Sequence, residues 1–474
     1  MPLFPSFPPR DFPALPRRDF WFQTYRHADG AHRLLFPQRF DERKKGSNMQ
    51  KKIMVFFVMT AVVLSFRTAT AAESGPPAYT LEQCIAVALE KNPSLRAYAA
   101  GIRASESRIG QAKAQYYPQL NLSTGYQRIG PYAPAGTSAD SYDQYSAGIS
   151  LGATLFDFGK TAKQVEIQDF NARSSRADYE DIKTQVVLNV KKAYYNLLLA
   201  ERNQEVAVDT ATQFQQHLQQ ANAFFQIGTK PKFDVTKAEV DYGNAKLSVL
   251  KAENAVRLAK VTLKNAMGVT DSDDFVIVDN FSPQKNHPPL NDLVNRAFAR
   301  RADLQSILSQ KAAAKSSLDL AQKGYFPTLT GSAGYTFSGA EFPLGDSWNA
   351  GAALNFPLFT GQSTKYQIEE GRANLEWLQA KEDALRQEIR LNVEQAYLNV
   401  QDAREQITMA ELTVLQAKEN YDIAAGRYKT GVGDPIEVAD ATITLNNARA
   451  NLNQALYNYS VAWAELEKSI GEQP

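Results

Sequence analysis

LNVKKAYYN, residues 188–196, and LNVEQAYLN, residues 391–399, are one pattern written twice, 203 positions apart. The offset holds without a gap over a longer stretch. Leu155-Phe156 falls on Leu358-Phe359, Gly228 on Gly431, Val235 on Val438, Ala238 on Ala441 and Gly268 on Gly471. So many anchors at a single offset mark a duplicated unit. Upstream the match continues at an offset of 209, where Tyr116-Tyr117-Pro118 and Gly125-Tyr126 meet Tyr325-Phe326-Pro327 and Gly334-Tyr335. The difference of six falls between these anchors, where a turn can absorb it. Each half reads as helix, two-strand excursion, very long helix, short Gly/Pro break and second helix. Repeat one covers about 80–268 and repeat two about 291–471, with the strand hairpins near 119–156 and 328–359.

The quoted pattern sits inside the long helices. Residues 160–225 contain no proline and no glycine, so the expectation is one continuous helix of about 99 Å at about 1.5 Å per residue. Residues 364–427 repeat it, with Gly371 and Gly426 near the ends. Val186, Val190, Ala193, Tyr194 and Leu197 recur at 3–4 spacing. Helices this long exceed a globular core and belong in a coiled-coil-like assembly.

Ahead of each long helix the period changes to two. Tyr145, Ala147, Ile149, Leu151, Ala153 and Leu155 alternate with Ser146, Gly148, Ser150, Gly152 and Thr154. Leu120, Leu122 and Tyr126 alternate with Asn121, Ser123 and Gln127, and the second half follows suit, with Tyr335 and Trp348 on apolar faces. Strands of about ten residues, apolar on one side and small or polar on the other, fit a lipid-facing barrel with a wet interior. A soluble hairpin packed on the helices is the alternative for each strand taken alone. Four strands cannot close a barrel, for which about eight is the minimum, and lipid does not tolerate open edges. Several chains must therefore pool their strands.

Met49 opens a secretory signal: Gln50-Lys51-Lys52, an apolar run over 53–66, and the small-x-small Ala69-Thr70-Ala71. Cleavage is expected before Ala72 or Glu73, leaving 73–474 as the mature chain. Residues 1–48, with seven prolines and no period, read as an upstream extension from a mis-called start. The mature part carries a charge of about −6 once all charged residues of 1–72 are set aside, which gives no reason to expect a nucleic-acid partner. Cys84, the one cysteine, rules out an internal disulfide framework. No HExxH, GxSxG, phosphate-binding loop or spaced ligand set is present. The expectation is no enzyme activity, no cofactor and no metal site.

The chain resembles the TolC-like outer-membrane efflux proteins over residues 80–471. The resemblance is carried best by RYKTGVGDPIEVADATITLNNARANLNQALYNY, residues 427–459, with YYP and YFP before the strands and LF before the long helices. It implies a mixed α and β membrane protein: a homotrimer whose twelve-stranded outer-membrane β-barrel continues into a periplasmic α-helical barrel. Such a channel is the exit duct for an inner-membrane transporter and a periplasmic adaptor (membrane fusion protein), in a tripartite efflux pump or type I secretion system of the Gram-negative outer membrane. The other reading is a periplasmic coiled-coil structural or adaptor protein of the cell envelope. An adaptor would carry one helical hairpin between soluble β domains, a pattern not seen here. The residues do not select among drugs, metal ions, metabolites and polypeptides as cargo.

The breaks at Gly228 and at Gly431 and Gly433 are expected at the tip far from the strands, where the resemblance implies adaptor contact. Beyond them stand Asp234 in one half and Glu437 and Asp440 in the other. The plain reading of such acids is complementing a helix dipole, worth about 0.3–1 kcal/mol. Glu437 and Asp440 are three apart and share a helix face. By resemblance they form an acidic ring at the periplasmic aperture, and Asp234 and Tyr428 belong to the contacts that close it. The family can place a basic residue where this chain has Gly433, so that link is absent or supplied by Arg427 or Lys429.

Overall fold

Thr80 opens the first helix of the computed structural model with a reciprocal cap. Its hydroxyl accepts from the Gln83 amide while its own amide donates to Gln83 Oε1, which satisfies two of the orphan donors of a helix start. The structure describes residues 78–130, 140–269, 275–279 and 289–472. The readings of 1–48 and 49–72, and most of the linker around 270–290, lie outside them.

Strand β1 (Ala78–Tyr79) precedes α1 (Leu81–Lys91), and Asn92-Pro93 breaks the chain into α2 (Pro93–Lys113). Asn92 ends one helix and caps the next, accepting from the Ser94 amide. A short 3-10 turn leads to β2 (Gln119–Ile129) and β3 (Tyr142–Phe156), then α3 (Lys160–Gln226) and α4 (Lys232–Met267). After β4 (Val276–Ile277), which pairs parallel with β1, come α5 (Leu290–Arg300), α6 (Ala302–Gln322), β5 (Thr328–Gly339), β6 (Gly345–Asn355), α7 (Ser363–Lys429) and α8 (Pro435–Ser469). Helices α3 and α7 are 67 residues each, about 100 Å. The strand connections differ in length, residues 130–141 against 340–344.

Strands β2, β3, β5 and β6 form one antiparallel sheet in that order, with β2 and β6 at the edges. The register aligns side chains in rows across all four strands. Leu122, Ile149, Tyr335 and Trp348 make one row, and Leu120, Leu151, Ala333 and Ala350 the next. The opposite face carries Ser123, Gly148, Thr336 and Ser347, then Asn121, Ser150, Gly334 and Asn349. The apolar rows are exposed, with Leu122 at 74% and Trp348 at 75% exposure. No described helix is long and apolar enough to cross a membrane.

The core divides between the two halves. Val190, Tyr194 and Leu197 of α3 pack with Cys84, Leu263 and Phe275. Val393, Ala396 and Val400 of α7 pack with Leu293, Leu304 and Tyr459. Each fully buried side chain of this size stabilises by about 1.5–3 kcal/mol. Helix α3 meets neighbours along its whole length. Ser174 and Asp178 bond Ser306 of α6, Arg176 pairs with Glu106 of α2, and Asp209 pairs with Arg449 of α8. Helix α7 has one open side, so its Leu391 and Leu398 are exposed although their counterparts on α3 are buried or half-buried.

Candidate functional site

The end of the helices farthest in sequence from the strands is built by two turns. Gly228 takes φ +75° and Gly431 φ +82°, the left-handed conformation that closes a helix most readily with glycine. Gly433 is constrained differently. Its amide donates to the Arg427 carbonyl at 3.0 Å, as do the Val432 amide and the Thr430 hydroxyl. A Cβ at 433 would lie 2.7 Å from the Tyr428 nitrogen. The turn folds directly onto the last turn of α7, and no side chain fits at 433 without displacing backbone.

Helix α8 then starts at Asp434, whose carboxylate accepts from the Ile436 amide at 2.8 Å, followed by Pro435 in the first turn. Asp434 is thus the N-cap, a role the Asp-Pro dipeptide signals. Glu437 and Asp440 lie on the exposed face beyond it. The Arg427 guanidinium reaches the Glu437 carboxylate at 3.8 Å, so Arg427 is the cation at this end that pairs with an acid of the expected ring.

Asp234 departs from the plain helix-start reading. It lies in the first turn of α4 but is buried, 7% exposed. Tyr428, the residue grouped with it by the resemblance, is also buried at 1% exposure. Its ring packs against His217 (centroids 4.9 Å apart) and Phe224 (5.6 Å) of α3. Burial pushes the Tyr428 phenol up, with Asp234 and Asp434 adding to the shift. Its hydroxyl has no hydrogen-bond partner, and neither does His217 Nδ1. The structure therefore brings Asp234 and Tyr428 into one buried cluster, while Glu437 and Asp440 remain at the surface. The sequence reading passed over His217. Phe214, His217 and Ala221 share 3–4 spacing and are all buried, the one signal that could have flagged it.

Among the described residues no group of His, Cys, Asp and Glu could hold a metal. Nothing at this end resembles a nucleophile held by a base. What it offers is a patch of fixed negative charge beside a buried, under-bonded polar cluster.

The sheet with its exposed apolar rows, carried on 67-residue helices, is the fold of TolC-like outer-membrane channels. The channel OprN superposes with a TM-score of 0.73 at 18% identity, covering 83% of this chain and 90% of that one. The outer membrane protein VceC from Vibrio cholerae gives 0.70 at 20% identity, covering 82% and 96%. The chain belongs to the outer membrane efflux protein family, whose model matches residues 84–269 and 293–472. Outer membrane protein TolC of Escherichia coli (strain K12) is 25% identical over 402 residues, 80% of each chain. Protein CyaE of Bordetella pertussis is 26% identical over 386 residues, 79% of this chain and 81% of that protein. The family is one of channel proteins rather than enzymes, and the reading as an envelope coiled coil gives way to it.

Proposed function

We propose that three copies of this chain close a single twelve-stranded barrel in the outer membrane and a helical tunnel in the periplasm. The tunnel is the exit duct for an inner-membrane transporter and its periplasmic adaptor, in efflux or type I secretion. The observation that carries this reading is the sheet. Its apolar rows run unbroken across four strands, and the outer edges of β2 and β6 find no partner among the described residues. Lipid does not tolerate such edges, so β2 of one copy pairs with β6 of the next.

The helices support the same closure. Helix α4 packs on α3, α3 on α8 and α8 on α7, which leaves α4 and α7 outermost. Both expose apolar stripes: Val240, Leu247 and Leu258 on one, Leu391, Leu398 and Leu412 on the other. Docking α7 of one copy on α4 of the next buries both. Glu437 and Asp440 then repeat three times around the tip and form an acidic aperture, with Asp234 and Tyr428 in the contacts that hold it shut. The tip turns at Gly228, Gly431 and Gly433 meet the adaptor.

Fractionation and native mass decide the reading. The protein is expected in the outer membrane, to need detergent for extraction, and to run as a trimer on unheated gels. A monomer soluble without detergent sinks the proposal.

A further inference from the structure

We propose that His217 makes closure of the aperture responsive to protons: the tip stays shut while the imidazole is neutral and loosens when it becomes a cation. The proposal rests on the reading of the tip as an aperture.

The geometry is a cluster drawn from three helices. His217 of α3 is 6% exposed, and its Nδ1 has no hydrogen-bond partner. Its ring lies on Tyr428 of α7, 4.9 Å away and tilted by 52°. The Tyr428 hydroxyl is buried and equally unpartnered. Asp234 of α4 is buried as well, close enough for its charge to bear on both rings. A polar atom buried without a partner costs about 1–3 kcal/mol. Two such atoms on rings in contact mark a cluster held together by packing, in which water would satisfy both groups.

The charges around the imidazole fix the sign. On α4, Asp241 and Asp234 favour the cation and Lys237 opposes it. Lys237 is itself 3.1 Å from Asp241, so their fields largely offset one another. On α7 the facing group is the Tyr428 phenol, which also feels Asp434. On α8, Asn446 donates to Gln213 one turn before His217 and brings no charge. Burial is the largest influence, and it holds the imidazole below its usual 6.5. A histidine whose affinity for a proton is depressed in the shut form and normal once hydrated stabilises the shut form above about pH 6.5. That contribution disappears as pH falls through the depressed value, so acid favours the open tip.

Single-channel conductance of the trimer in planar bilayers tests this, at about pH 7.5 and about pH 5. The proteins compared are the unaltered chain, His217→Phe, His217→Gln and Asp234→Ala, each checked as a trimer on unheated gels. The unaltered channel is expected to gain at least about twofold in conductance at the acid pH. His217→Phe, which keeps a ring on Tyr428, and His217→Gln, which keeps a neutral polar group, are expected to lose that gain. Loss of negative charge at Glu437 and Asp440 would lower cation conductance instead, so it cannot produce the rise. A rise retained in both variants, or absent from the unaltered channel, overturns the proposal. If Asp234→Ala fails to raise conductance at about pH 7.5, the aperture reading itself falls. If Asp234→Ala opens the channel and the histidine variants keep their acid response, only the assignment of His217 falls.

Discussion

Arg427 Nη2 lies 3.8 Å from Glu437 Oε2, joining the last turn of α7 to the first turn of α8. Both side chains are about half exposed, so the pair contributes at most about 1 kcal/mol to stability. Its weight is electrostatic, because in the proposed trimer it would set a cation into each third of the acidic ring. Arg427→Ala is expected to raise cation selectivity, and Glu437→Gln with Asp440→Asn to lower it and to weaken block by multivalent cations. Reversal potentials across a salt gradient give both readings. Equal selectivity in all three channels would leave these acids as ordinary helix-start charges.

Tyr428 and Asp234 separate packing from gating. The Tyr428 hydroxyl makes no hydrogen bond among the described residues, so Tyr428→Phe removes no bond from the isolated fold and is expected to shift its stability by less than about 1 kcal/mol. Any rise in closed-state conductance in this variant then reports a change at the tip and not a loss of fold. Asp234→Ala is expected to raise conductance as well. A Tyr428→Phe channel with unaltered conductance would remove the phenol from the closing set.

The sheet predicts an asymmetry between its faces. Leu151 stands in an apolar row with Leu120, Ala333 and Ala350, while Ser123 stands on the other face with Gly148, Thr336 and Ser347. Leu151→Arg is expected to destabilise the barrel by about 2–4 kcal/mol if it sits near the bilayer midplane, and Ser123→Arg to be tolerated in a wet lumen. Thermal dissociation of the trimer on gels ranks the two. The reverse order would invert the inside and outside assigned here.

Much of this architecture could be read from residues alone because the deciding interactions are local. Thr80 with Gln83 specifies a cap, Asn92-Pro93 a break, and alternation a strand face. The pairing of β3 with β5 was not readable, since periodicity fixes which face a strand presents and not which strand lies beside it. Nor was the left-handed pair at each strand-to-helix corner, Phe158-Gly159 and Gly361-Gln362, where one member of each is a residue that disfavours positive φ. The candidate site divides the same way. Glu437 and Asp440 share a face by spacing, but the burial of Asp234 and His217 depends on helices distant in sequence meeting at one end.

Cys84 offers a test of the core. It is fully buried, and burial, with Glu82 adding, lifts its thiol from 9.0 to about 11. A group whose proton is held more tightly in the folded state stabilises that state below its unfolded value. The contribution therefore persists below pH 9 and is lost as pH rises towards about 11. Thiol reagents at neutral pH are expected to leave native Cys84 unmodified and to label it on unfolding. Fast labelling of the native trimer would contradict its place beside Tyr194 and Leu263.

The tip turn gives the most local prediction. The resemblance implies that a basic residue can stand at the position of Gly433, yet a Cβ there would meet the Tyr428 nitrogen at 2.7 Å and the Arg427 carbonyl carbon at 3.0 Å. Both are backbone atoms and cannot swing aside as a side-chain end would. Gly433→Ala must therefore shift the turn that carries Tyr428, at a cost of order 1–3 kcal/mol. Gly433→Arg is expected to behave like Gly433→Ala, because the added charge arrives on a displaced backbone. Both are expected to raise closed-state conductance through the movement of Tyr428. Were Gly433→Arg to tighten closure while Gly433→Ala loosened it, the turn would have room for a cation after all, and Arg427 would not be the cation that replaces it.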